Sequence, residues 1–163
     1  MDTTADRSLV VFAWGNASRG DDGIGPEIAR RLASLELPGL RVIEDFQLQI
    51  EHVMDLDADV PALFIDASVA IDEGFRIERI EPGLDPSLST HAVSPAALLG
   101  LYEQTLQTPA PEAWLLHVAA TSFELGEAIS EQTSHNLDAA WSFLEQVLGG
   151  SPHTLGARLA AAA

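Results

Sequence analysis

The amino-acid sequence contains neither cysteine nor lysine. Without cysteine the chain can form no disulfide, and it has no thiolate to act as a nucleophile or metal ligand. Without lysine it can form no Schiff base, and it lacks the residue that Walker-type phosphate loops require. The side chains left for chemistry are those of Asp, Glu, His, Ser, Thr and Tyr, together with any metal ion that they bind.

Basic residues are also scarce, because eight arginines stand against 25 acidic residues and the formal net charge is −17. A surface this acidic repels nucleic acids and anionic membranes, and it suits a cation or a basic protein partner. No apolar run reaches the roughly 18 residues that span a bilayer. Residues 1–7 lack the basic and apolar segments of a signal peptide. We therefore expect a cytoplasmic protein with no nucleic-acid or membrane partner.

The length of 163 residues and the hydrophobic content of 47% favour a single domain over residues 1–163. Apolar runs and helical spacing alternate along the chain, and this alternation predicts a three-layer α/β/α fold. We expect a mostly parallel sheet with helices on both faces and loosely held tails at 1–7 and 151–163. The predicted strands are 8–14, 40–46, 60–67, an edge strand at 74–80, and 113–119; the predicted helices are 26–37, 47–57, 94–105 and 132–148.

Three candidate functional residues follow predicted strands. Asp22, preceded by Asp21, lies in a glycine-rich loop after the first strand. Asp66 ends the third strand, and His91 lies in the loop before the helix at 94–105. In such folds ligands bind beyond the carboxyl ends of the strands, so these side chains can converge. Each also has a structural interpretation: the paired acids can cap a helix, Asp66 can hold loop amides, and His91 can be solvated.

Asp22, Asp66 and His91 together offer two carboxylates and one imidazole, a ligand set that suits zinc, nickel, manganese or iron. The loop lacks the G-x-G-x-x-G pattern of dinucleotide sites, and two acids at a helix start would repel a phosphate. The absence of G-x-S-x-G disfavours a serine hydrolase. His117 in a buried strand and His52 on a helix are weaker candidates, for which structural roles are expected.

The candidate loops resemble those of the hydrogenase maturation peptidases, which trim the C-terminal extension of the large subunit of nickel–iron hydrogenases. The segment GNASRGDDGIG at 15–25 is similar to the family's G-N-x-x-x-G-D-D-G-x-G. The later matches are, in order, Asp66 within FIDA, Ser89-Thr90-His91 with Ser94-Pro95, and Phe123-Glu124 with Gly126 and Ser130. The resemblance covers most of residues 8–148. The chain departs from the family at 17–18 and 92–93, where bulkier apolar residues and Gln-Leu are common.

The resemblance implies a twisted five-stranded sheet with helices on both sides. It also implies that Asp22, Asp66 and His91 occupy the family's metal-contacting positions and form the catalytic site of an endopeptidase, aspartyl-type by its carboxylates. The metal would be the nickel already inserted in the large-subunit precursor, so no permanent cofactor is expected. Residues 47–49 and 51–52 look closest to the branch that serves soluble, bidirectional NAD-reducing hydrogenases.

Two other functions remain open from the sequence. The same three side chains would serve a module that checks nickel loading or escorts the large subunit without cutting it. A self-contained zinc hydrolase would instead keep its metal through purification. Whether a carboxylate acts as general base, or whether water activated by the metal attacks unaided, also stays open at this point.

Overall fold

The computed structural model describes residues 9–83, 92–150 and 155–163. Its centre is a five-stranded sheet in the order β2-β1-β3-β5-β4. Strands β1, β2, β3 and β5 are mutually parallel, and β4 pairs antiparallel with β5 at one edge. This confirms the predicted fold class and the edge position of β4. The strands are β1 Leu9–Trp14, β2 Leu40–Asp45, β3 Ala62–Ser68, β4 Phe75–Ile80 and β5 Ala113–Ala119.

In the described parts of the chain, four α-helices and two short 3-10 helices connect and cover these strands. Ser94 caps α2 by accepting a hydrogen bond from the backbone N–H of Ala97, and Pro95 occupies the first turn, as expected from their sequence. The predicted helix at 47–57 is a shorter 3-10 helix at Ile50–Asp55. The α-helices are α1 Ile24–Ser34, α2 Pro95–Leu106, α3 Glu131–Leu148 and α4 Leu155–Ala162; a further 3-10 helix, Gly20–Gly23, precedes α1.

The sheet separates two apolar cores, because successive side chains of a strand point to opposite faces. In β1, Val11 belongs to the core beneath α1, α3 and α4, whereas Phe12 belongs to the core beneath α2. In β3, Ile65 belongs to the same core as Val11, and Phe64 belongs to the same core as Phe12. The strands are therefore near-continuous apolar runs, as is typical of a parallel sheet covered on both faces.

The expectation of a loose C-terminal tail is wrong for the part that the structure describes. Helix α4 packs against α3 and β4, and its residues Leu155 and Leu159 are buried in the core that contains Val11. Their i, i+4 spacing places both side chains on one face of the helix. The other predicted tail segments, residues 1–7 and 151–154, lie outside the described residues. None of the described helices combines the length and apolar character needed to cross a membrane.

Candidate functional site

Asp22 lies in the 3-10 helix that immediately follows β1. Its carboxylate is half-buried, and its Oδ2 atom accepts a hydrogen bond of 2.7 Å from the backbone N–H of Asn16. Gly15 makes this tight turn possible, because its φ is +145° and a Cβ there would overlap the carbonyl oxygen of Asp22. The backbone therefore fixes the position of the Asp22 carboxylate at the carboxyl end of β1.

Asp66 lies near the carboxyl end of β3, on the face of the sheet that also carries Phe64. Burial raises the pKa of its carboxyl above the ordinary value of 3.8. The electrostatic interaction with His117 opposes this shift in the pKa of Asp66, and that with Asp22 adds to it. The Asp22 carboxyl, just after β1, is therefore close enough to Asp66 on the neighbouring strand β3 to affect its pKa. Two carboxylates at one mouth favour a bound cation.

The third predicted ligand, His91, lies outside the described residues. Within the part of the chain that the structure describes, no three His, Asp or Glu side chains are close enough together to hold a metal ion. The described part of the site is thus a carboxylate pair, Asp22 and Asp66, whose oxygen donors fit a divalent transition metal with further ligands.

Asp21 has a different role from its neighbour, because its side chain is completely buried. Its carboxylate accepts hydrogen bonds from three backbone N–H groups and three hydroxyls. Burial alone would raise the pKa of Asp21, but these hydrogen bonds outweigh it and hold the pKa well below its usual range. The donors are the backbone and hydroxyl of Thr121, the backbone of Ser122, the backbone and hydroxyl of Ser130, and the hydroxyl of Thr133.

Backbone hydrogen bonds join the same two loops. The N–H of Asp21 donates to the carbonyl of Ser122 at 2.8 Å, and the N–H of Gly126 donates to that of Ser18 at 2.7 Å. At Gly20 the φ is +56°, and a Cβ would lie 2.7 Å from the Ser122 carbonyl oxygen. The loop that carries Asp22 is consequently fastened to the loop between β5 and α3. The sequence suggested that Asp21 caps the helix that follows it, but no side-chain hydrogen bond caps the Gly20–Gly23 helix or α1. Asp21 instead holds the loop between β5 and α3.

His117 lies next to the candidate site, a position that the sequence did not predict. It stands beside Asp66 in the β3–β5 register, and its Nε2 lies 2.9 Å from Oε2 of Glu78 on β4. The side chain is 12% exposed, and its Nδ1 has no hydrogen-bond partner among the described residues. The contact with Glu78 agrees with the structural role expected for His117. Its position beside Asp66 was not predictable, because it depends on β5 lying next to β3. The sequence did hold one signal. Side chains two positions apart in a strand lie on the same face, so Asp66 shares a face with Phe64, and His117 shares a face with Leu115.

A cavity of about 330 Å³ lies at the carboxyl end of β2, beside the loop of Asp22. Its lining residues are Gly15, Glu44, Asp45 and Phe46, and Phe46 is 73% exposed. His52 is buried beneath Asp45: its Nδ1 accepts a hydrogen bond of 2.8 Å from the N–H of Gln49, and its Nε2 lies 3.4 Å from Asp45 Oδ2. We refer to this space as the Phe46 cavity.

The sheet order and the helices on both faces define a fold that is also found in hydrogenase maturation proteases. In particular, the chain is similar to the [NiFe] hydrogenase maturation protease HycI from Thermococcus kodakarensis KOD1. The TM-score is 0.66 at 19% identity, over 90% of this chain and 96% of that one.

The chain is similar to the hydrogenase maturating endopeptidase HybD from E. coli as well. This comparison has a TM-score of 0.66 at 19% identity and covers 86% of this chain and 91% of that one. A hydrogenase 2 maturation peptidase from a Thaumarchaeota archaeon gives 0.59 at 21% identity, over 86% and 97%. No protein-family model and no curated protein matches the sequence. The structural likeness shows a shared fold.

Proposed function

We propose that this protein is an endopeptidase that removes the C-terminal extension from the nickel-loaded large-subunit precursor of a [NiFe] hydrogenase. The observation that carries the proposal is the carboxylate pair. Asp22 follows β1, Asp66 lies near the end of the neighbouring parallel strand β3, and the charge of Asp22 contributes to the raised pKa of Asp66. The motif residues that resemble the maturation peptidases supply both carboxylates, and the fold is shared with proteins of that activity.

In this proposal the nickel arrives with the substrate, and Asp22, Asp66 and His91 bind it. The ion would polarise the scissile carbonyl or activate a water molecule. The N–H of Asn16 fixes the position of the Asp22 carboxylate as a ligand. Burial raises the pKa of Asp66, which favours this carboxylate as the acceptor for the proton of the attacking water. The acidic surface favours a partner that presents a cation.

The finer assignments are also proposals. Residues 47–49 and 51–52 support the branch that serves soluble, bidirectional NAD-reducing hydrogenases. Within these residues His52 is held between Gln49 and Asp45, and Asp45 lines the Phe46 cavity. Such a substrate would place the peptidase in the cytoplasm, in agreement with the composition.

The direct test is to incubate the purified protein with nickel-loaded precursor and with the same precursor lacking nickel. We expect mass spectrometry to record loss of the C-terminal extension only from the nickel-loaded form. The Asp22→Asn variant provides the matched negative control, since Asn retains the size and the hydrogen bond but not the charge.

Two alternatives predict other results. An escort or nickel-checking module would bind the loaded precursor without any change in its mass. A self-contained zinc hydrolase would retain near-stoichiometric zinc after purification from metal-depleted medium. Elemental analysis of the isolated protein separates this case from ours, in which we expect little bound metal.

A further inference from the structure

Strand β2 forms an edge of the sheet, and its backbone groups alternate in direction. The N–H of Leu9 donates to the carbonyl of Gly39, and the N–H of Gly15 donates to that of Asp45. In a parallel pair, the residues that bond the neighbouring strand alternate with residues whose N–H and C=O point away. The backbone groups of Val42 and Glu44 therefore point outward from β2. Among the described residues, no backbone group bonds them.

The opposite edge of the sheet is a poorer place for strand addition. On β4, Arg76 lies 3.9 Å from Glu78, and Arg79 lies 3.3 Å from Glu81. Charged side chains of this kind protect an edge from pairing with another chain. Strand β5 also separates β4 from the carboxylate pair, since the order is β2-β1-β3-β5-β4. Only β1 stands between the β2 edge and the candidate site.

The Phe46 cavity lies between the loop that carries Asp22 and the end of β2. Gly15 lines it on the side of Asp22, and Glu44 and Phe46 line it at the end of β2. Strands are spaced about 4.8 Å apart, so a strand added to β2 would lie about 12 Å from the midpoint between β1 and β3. An extended chain covers that distance in about four residues, at about 3.3 Å each.

We propose that the outer edge of β2 binds the C-terminal extension of the precursor as an added antiparallel strand. This inference rests on the proposed function. An extension that leaves the carboxylate pair and descends the edge runs opposite to β2, so its pairing with Val42 and Glu44 is antiparallel. Main-chain hydrogen bonds supply the affinity, and side-chain pockets supply the selectivity, as in other cases of strand addition.

The Phe46 cavity indicates which peptide side chains fit. It offers the exposed Phe46 ring for an apolar group, and the carboxylates of Glu44 and Asp45 repel acidic residues. The extension that pairs with β2 therefore carries an apolar residue a few positions after the cleaved bond and no acidic residue beside it. The net charge of −17 of the whole protein also disfavours an acidic extension.

The decisive variant is Val42→Pro, which removes the outward N–H that the added strand needs. Proline is tolerated at edge positions whose N–H is free, so the variant should fold. Val42→Ala is the control, because Val42 also packs against the core and both changes lose that packing. We expect Val42→Pro to raise the KM for nickel-loaded precursor about tenfold with kcat within about twofold, and Val42→Ala to resemble the wild type.

Hydrogen exchange on the wild-type protein provides a second measurement that does not require the variant to fold. Addition of a synthetic peptide with the sequence of the C-terminal extension, or of the intact precursor, should slow exchange at the amides of Val42 and Glu44. Unchanged exchange at both amides, or equal KM values for the Pro and Ala variants, would overturn the inference.

The outcomes also separate this inference from the proposed function. If the wild-type protein leaves the precursor intact, the proposed peptidase activity fails, while exchange with intact precursor still decides whether β2 is the binding edge. If light scattering shows that the wild-type protein is a dimer that Val42→Pro converts to a monomer, the edge binds a second copy of this chain. In that case the partner of the β2 edge is this second copy and not the C-terminal extension, and the inference is overturned.

Discussion

The carboxylate of Asp21 accepts a hydrogen bond of 2.8 Å from the backbone N–H of Ser130, a residue 109 positions later in the chain. Ser130 is the N-cap of α3, so one buried side chain joins the turn after β1 to the start of the last long helix of the core. The adjacent residue, Asp22, is a candidate ligand. Of these two adjacent carboxylates, Asp21 supports the structure and Asp22 is the one available to bind a ligand.

We expect Asp21→Asn to destabilise the protein. An Asn amide in the position of Oδ2 would face the N–H groups of Thr121 and Ser122 and leave them without an acceptor. An unsatisfied buried donor costs about 1–3 kcal/mol, so the two together should lower the melting temperature by at least about 4 °C.

Asp22→Asn is the matched control for Asp21→Asn. Its side-chain oxygen can still accept the N–H of Asn16, so its melting temperature should stay near that of the wild type while precursor cleavage is lost. Thermal unfolding and cleavage are measured for both variants. Equal loss of stability in the two variants would contradict this division of roles.

We expect Asp66→Asn to abolish cleavage and to raise thermal stability at neutral pH. Because the folded-state pKa of Asp66 lies above 3.8, the folded chain binds this proton more tightly than the unfolded chain does. The stabilisation from the neutral carboxyl is complete below about pH 3.9 and is lost as the pH rises through the folded-state pKa. Melting curves from pH 4 to 8 should show the advantage of the Asn variant growing with pH. A constant difference would argue against a raised pKa.

His91→Ala should leave the fold intact and remove cleavage, whereas His117→Ala should lower the melting temperature. His91 is predicted to lie in a polar loop, and surface substitutions change stability by about 0.5 kcal/mol or less. The largely buried His117 pairs with Glu78, and its truncation removes both this contact and the packing of the ring. Cleavage by the wild type should also weaken below about pH 6.5, because a protonated imidazole cannot bind nickel. Normal cleavage by His91→Ala would refute its assignment as a ligand.

Leu159→Ala tests whether the C-terminal helix belongs to the core. Leu159 is 0% exposed, and truncation of a buried Leu costs about 2–5 kcal/mol. Leu125→Ala makes the same chemical change at a side chain that is 73% exposed, so its melting temperature should stay close to the wild type. If the two variants melt together, α4 contributes little to the stability of the domain.

The strands were predictable from sequence because each is a local apolar run that ends at turn residues. The predicted strand 113–119 agrees with β5 at both ends, and the alternating charges of 74–80 indicated an edge strand before its partner was known. Helix α4 was missed because only Leu155 and Leu159 mark its buried face in a segment rich in alanine. Their burial depends on the core beneath α4, which no local pattern reveals.

The candidate site was predictable in part for the same reason. Asp22 and Asp66 each follow a recognisable strand, and parallel strands end at one edge of the sheet. The position of His117 beside Asp66 requires β5 to lie next to β3, and the chain order does not dictate that neighbour. The hydrogen bonds that Asp21 accepts from Thr121, Ser122 and Ser130 were not predictable either, because these residues are about 100 positions away in the chain and meet Asp21 only in the folded protein.

The buried Asp21 connection also sets a temperature limit on activity. The loop between β5 and α3 is largely exposed, and such loops open locally before a domain unfolds as a whole. When that loop opens, Asp21 loses its donors and the neighbouring Asp22 loses its fixed position. Heat should therefore inactivate the protein reversibly at temperatures where its strands and helices are still intact.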